Sequence, residues 1–96
     1  MLIKKPLAPG EIATFRLITG EEVVAKIAEK TSTGYKLSKP LVVVPGERGF
    51  GLVQAMATVS PDDDLEIQDA HIVMMGSTVE PMQKHYAKMT STIIQP

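Results

Sequence analysis

The sequence predicts a small, mainly β fold: five short antiparallel strands closing into a barrel, followed by one C-terminal α-helix. Three observations carry this expectation. Runs rich in Val, Ile, Leu and Thr recur at about 12–18, 22–29, 34–44, 50–59 and 65–75, and such residues suit a pleated, half-buried surface. Short turn-forming stretches separate them ("TGE", "KTSTG", "PGERG" and "SPDDD") with no helical run between, as in a meander. Near residue 76 the apolar period changes. Val79, Met82, Tyr86, Met89 and Ile93 fall three, four, three and four apart, which is one face of a helix.

Taken in order, residues 1–10 read as an extended arm interrupted by Pro6, Pro9 and Gly10. The stretch "FRLITGEEVVAKI" reads as a hairpin. A three-residue loop at Thr19-Gly20-Glu21 would set Leu17 against Val23 and Phe15 against Ala25. That gathers the apolar residues on one face and leaves Arg16, Val24 and Lys26 on the other, whereas a one-residue slip would flip every side chain. Gly20 then supplies the positive φ that such a loop needs. Pro40 cannot donate to a ladder, so the third run should kink there or lie at an edge. Ser77-x-x-Glu80 has the form of a capping box, but that start conflicts with Pro81. Thr78 as the cap, or Pro81 as the first helical residue, avoids the clash. A helix is expected over about 79–90, within an outer span of 78–92. The whole chain, 1–96, is expected to be one domain: arm 1–10, barrel 11–76, helix 78–92.

Composition narrows the function. Ten basic and eleven acidic residues give a formal charge of −1, without the basic excess of a dedicated duplex-DNA binder. Two Tyr, two Phe and no Trp make a thin supply of base-stacking platforms. With no cysteine there is no disulfide framework, thiolate zinc site or thiol nucleophile, which fits a reducing cytoplasm. "MLIKKPLAPGE" has no apolar run of the secretory type, and nothing approaches the roughly 18 continuous apolar residues of a membrane span. The expected location is cytoplasmic, the host cytoplasm if the protein is phage-encoded.

"LVVV" (41–44), "HIVMM" (71–75) and "VV" (23–24) carry apolar side chains on both faces of their strands. A small barrel buries one face, and one short helix covers only part of the other. The excess must lie exposed or meet another copy, and large exposed apolar patches mark interfaces. Self-association, which would also hide open strand edges, is therefore expected.

The first hairpin resembles the first motif of the Sm and Sm-like (LSm) ring proteins, with Phe15, Leu17 and Gly20 matching its apolar–x–apolar–x–x–Gly start. Val23 and Ile27 take the next apolar positions, and "YKLSKP" (35–40) is similar to the short third strand. "EIQDAHIVMM" (66–75) resembles the second motif, and the overall style is similar to small Sm-like proteins of tailed bacteriophages. The resemblance implies an Sm-like (SH3-like) barrel and a homo-oligomeric ring of five to seven subunits, the fourth strand of one copy pairing with the fifth of the next. Its interface would use Leu52, Val53, Gln54, Met56, Ile72, Val73 and Met74. It further implies single-stranded RNA as a partner, at Tyr35, Gln68, Asp69 and His71. The sequence departs from the RNA-binding members: no Asp or Asn stands in "KTSTGY", Gln68-Asp69 replaces an Arg-Gly pair, and Ala25 stands at a bend usually made by glycine. The helix also follows the barrel instead of preceding it.

Each candidate side chain has a plainer reading. His71 can be an ordinary strand residue, and Tyr35 can be core with its hydroxyl at the rim. Asp62-Asp63-Asp64 lacks the alternating ligands of a calcium loop and reads as a solvated turn. His85, beside Lys84, Tyr86 and Lys88, reads as surface. "GERGFG" (46–51) lacks the Lys-Ser/Thr of a phosphate loop and reads as a hairpin loop, with Arg48 free to reach an anion. The methionines fill apolar positions. No nucleophile with an adjacent base stands out, so no enzyme, metal or cofactor is expected. The functional expectation is an Sm-like ring that binds RNA weakly or acts as a scaffold. The alternative is a protein-interaction or phage structural adaptor without nucleic-acid binding.

Overall fold

The computed structural model describes residues 7–47, 49–56, 58–60 and 62–94. The protein is mainly β, with one antiparallel sheet and a C-terminal helix. The strands are β1 (Ile12–Leu17), β2 (Glu22–Lys30), β3 (Gly34–Gly46), β4 (Gly49–Gln54), β5 (Leu65–Gln68) and β6 (Ile72–Ser77), followed by α1 (Glu80–Ile94). Among the described residues there are six strands because a 3-10 turn at Asp69–His71 breaks the expected run 65–75, and the run 50–59 ends at Gln54. The sheet order is β4-β3-β2-β1-β6, with β5 on β3 beside β4. Because a three-residue turn joins β5 on β3 to β6 on β1, the sheet must curl. Among the described residues no ladder joins the two ends of its path, β4 and β6.

The first hairpin corrects the expected register. Phe15 faces Val23, and Ala13 faces Ala25. The Gly20 N–H donates to the Leu17 carbonyl at 2.9 Å and the Leu17 N–H to the Glu21 carbonyl at 2.9 Å. The three-residue loop is therefore Ile18-Thr19-Gly20, one position upstream of the expected one, with Gly20 at φ +102°. Moving the loop by one residue moves the pairing by two, so the same side chains still share a face.

That inner face holds Ala13, Phe15, Ala25, Ile27 and Leu37, all buried, with Leu7, Leu17, Tyr35, Ile67, Ile72 and Met75 packed around them. The outer face uses the opposite parity. Val24, Leu41 and Leu52 are buried beneath Tyr86 of α1, with Ile12, Val43, Met82 and Met89 alongside. Val24 was expected on the polar side of the hairpin; the helix makes that side a second core.

Pro40 sits at a bulge. Between the pairs Val24–Leu41 and Lys26–Ser38, β3 carries one extra residue, and Lys39 adopts φ +49°. Tyr86 closes the gap. Its hydroxyl accepts the Lys26 N–H at 3.1 Å and donates to the Ser38 carbonyl at 2.7 Å, standing between two groups that face each other across the ladder.

The helix begins differently from either expectation. Val79 supplies the first carbonyl, taken by Gln83 N–H at 3.0 Å, and Pro81 is the second helical residue, where no N–H is needed. Ser77 ends β6 and makes no capping box. The Thr78 hydroxyl bonds that of Thr14 at 2.8 Å, and Gln83 Nε2 donates to the Thr78 carbonyl at 2.7 Å. Val79 is 69% exposed and lies off the packed stripe; Ile93 lies outside the described side chains.

Candidate functional site: two sheet edges and a loop cluster

The loop cluster forms where the β2–β3 loop meets the 3-10 turn. Gly34 lies opposite Gln68, and Tyr35 opposite Ile67. A Cβ on Gly34 would stand 1.9 Å from the Ile67 carbonyl oxygen, so only glycine allows this approach. The Asp69 N–H donates to the Thr33 carbonyl at 2.8 Å. Lys30 ties the rest together. Its ammonium donates to the carbonyls of Thr31 at 2.8 Å and Gly34 at 3.2 Å, reaches the Asp69 carboxylate at 3.5 Å, and lies 4.8 Å from the Tyr35 ring centroid. The Tyr35 ring also meets Phe15 edge-on at 5.7 Å. Tyr35 is thus half-buried, with Lys30 over its face, and a stacked base would have to displace that lysine. Gln68, Asp69 and His71 are exposed, and the His71 carbonyl accepts the Ile18 N–H at 3.0 Å, which brings the first hairpin loop to the same end.

Of the four residues the resemblance implies for RNA, the structure brings Tyr35 and Asp69 together through Lys30. Gln68 lies beside Gly34, and His71 closes the turn. The sequence reading missed Lys30 and Gly34. A lysine ending a strand directly before "TSTG" was the available signal for the first; nothing local announced the second.

The two sheet edges are the other feature. Among the described residues β4 pairs only with β3, and β6 only with β1, so each has one side of unpaired backbone groups. Both strands are six residues long and neither contains a charged residue. Val53, Val73 and Met74 stand exposed at these edges, as does Phe50 at 69%; Gln54 is exposed too, and exposed Met56 lies two residues past the end of β4. Two of the expected interface residues also pack within the chain: Leu52 is buried under α1, and Ile72 packs on the inner core.

Beside β6 the outer face is not covered by the helix. A groove of about 290 Å³ runs there, lined by Thr14, Arg16, Glu22, Met74, Gly76 and Ser77. Arg16 holds its rim, donating to the Gly20 carbonyl at 2.9 Å and pairing with Glu22 at 3.2 Å.

The remaining candidates keep their plainer readings. Asp62, Asp63 and Asp64 are exposed in a turn held by Ser60, whose hydroxyl accepts the Asp62 N–H and whose carbonyl accepts the Asp63 N–H. His85 is exposed on α1. Arg48 lies outside the described residues, as do residues 1–6 of the arm. Among the described residues no group of three metal-ligating side chains converges, and no helix is long and apolar enough to cross a membrane. No protein-family model matches the chain, and a search of curated proteins finds no significant relative.

Proposed function

We propose that the protein is a self-assembling scaffold of Sm-like type, in which the β4 edge of one copy joins the β6 edge of the next to build a homo-oligomeric ring. The observation that carries this reading is the pair of six-residue, uncharged, unpaired edges at opposite ends of one sheet. A monomer ordinarily guards such edges with lysine, proline or a covering loop. In this reading the curled sheet is a small barrel, and β4 and β5, which share one side of β3, are halves of a single bent strand. The bend that relatives would make with glycine in the second strand comes here from the bulge at Lys39-Pro40, opposite Ala25.

RNA binding is the second reading, favoured by the exposed Gln68, Asp69 and His71 at one end of the sheet, which offer both donors and acceptors. The Lys30–Asp69–Tyr35 arrangement favours the scaffold, because its charges and aromatic face already satisfy one another. Light scattering at micromolar protein tests assembly: a multimer of the 10.4 kDa chain is expected, and a monomer overturns the proposal. Titration with short oligo(U) and oligo(A) RNA separates the readings. Salt-sensitive binding lost in Gln68→Ala/His71→Ala would establish the RNA role; its absence leaves the scaffold or adaptor.

A further inference from the structure

Resting on edge-to-edge assembly, we infer its register: β4 and the neighbouring copy's β6 run antiparallel with Phe50 seated over Gly76, an aromatic knob against a glycine notch. The faces come first. Leu52 is buried under α1 on the outer face, so by alternation Phe50 belongs to that face as well. Met74 and Gly76 pair with Arg16 and Thr14, whose parity is opposite to that of the inner residues Phe15 and Ala13, so they too are on the outer face. When the two edges join with outer faces continuous, only shifts by two residues are allowed.

Side-chain size then selects one of them. Phe50 against Gly76 places Gly51 against Met75 and Leu52 against Met74, all within the part of β6 that pairs regularly with β1 and short of the bulge at Val73. Each glycine meets a large partner. A shift of two in one direction puts Phe50 against Met74; the other puts it against Thr78, beyond the end of β6. A Cβ at Gly76 would meet nothing within 4 Å, and the groove of about 290 Å³ above it is lined by Thr14, Met74 and Ser77. That space suits an aromatic ring, and aromatic side chains laid across strand glycines are a known way to pin register. The Phe50 ring is 69% exposed, without such cover among the described residues. The occupant is therefore a second copy of this protein.

The test uses three variants of the full chain, read by sedimentation equilibrium. Phe50→Ala removes the knob and Gly76→Val fills the notch from a position where a Cβ meets nothing within 4 Å; each is expected to raise the dissociation constant about 30-fold while leaving the monomer's circular dichroism unchanged. Because the chain has no cysteine, Gly51→Cys/Met75→Cys, in the regularly paired part of β6, reports register directly. Mild oxidation is expected to give a ladder of covalent multimers, whereas Val53→Cys/Met75→Cys stays unlinked. An assembling wild type with unaltered affinity in both single variants, or the reverse pattern of cross-linking, overturns the register alone. A wild type that never assembles overturns the scaffold reading with it.

Discussion

Replacing Tyr86 by Phe isolates one atom that holds the helix to the sheet. The ring is 3% exposed and packs with Val24, Leu41 and Leu52, so phenylalanine keeps the burial and loses only the hydroxyl. That hydroxyl joins the Lys26 N–H to the Ser38 carbonyl across the bulge. Without it both backbone groups lose their partner. An unpaired buried polar group costs about 1–3 kcal/mol. Part of this is recovered, because the adjoining groove lined by Ile12, Lys26 and Thr90 can admit water. A loss of about 1–2 kcal/mol is expected, or roughly 4–16 °C in Tm for a domain of this size. Urea unfolding at one fixed protein concentration measures it, since assembly would shift the midpoint. A change below about 0.3 kcal/mol would refute the view that the hydroxyl stands in for a broken ladder bond. The pH dependence gives a second check. Burial raises the Tyr86 pKa above its usual 10.0, against a smaller lowering by the Lys26 N–H. The folded state therefore holds this proton more tightly than the unfolded chain. Its contribution to stability is fully present below about pH 10 and falls as pH rises through the folded value. Tyr86→Phe should lack that part of the alkaline decline.

Gly34→Ala should destabilise by about 2–4 kcal/mol or prevent folding, because the new methyl meets the Ile67 carbonyl and the Gln68 Cα, both backbone, whereas Gly76→Ala should stay within about 0.5 kcal/mol in the monomer. Paired urea curves make the comparison. Lys39→Gly should stabilise by about 0.5–1 kcal/mol, since a non-glycine residue at φ +49° is strained; a loss in thermal unfolding would contradict the bulge geometry. Asp69→Asn removes an ion pair whose two side chains are about half exposed, so it should change stability by less than about 1 kcal/mol.

Much of this fold was legible. Alternation in "FRLITGEEVVAKI" assigned each side chain to the correct face, and Pro40 announced the break in β3, whereas the turn that splits the run 65–75 came only with the structure. The candidate site was legible in part: the two edges could be named, while the tie from Lys30 to Asp69 joins residues far apart in the chain and left no local pattern.

Sequence periodicity alone determined the faces, because a strand pattern repeats every two residues and burial punishes only odd slips. It could not choose between registers two residues apart; the hydrogen bonds of Leu17 with Gly20 and Glu21 decided that. Nor could it show that Val24 lies beneath a helix, that Tyr86 mends the bulge, or that Gly34 must lack a side chain. Each depends on a partner brought close only by the completed fold. Tertiary structure settled them because backbone groups must find partners and atoms cannot overlap, whatever the local preference of the chain.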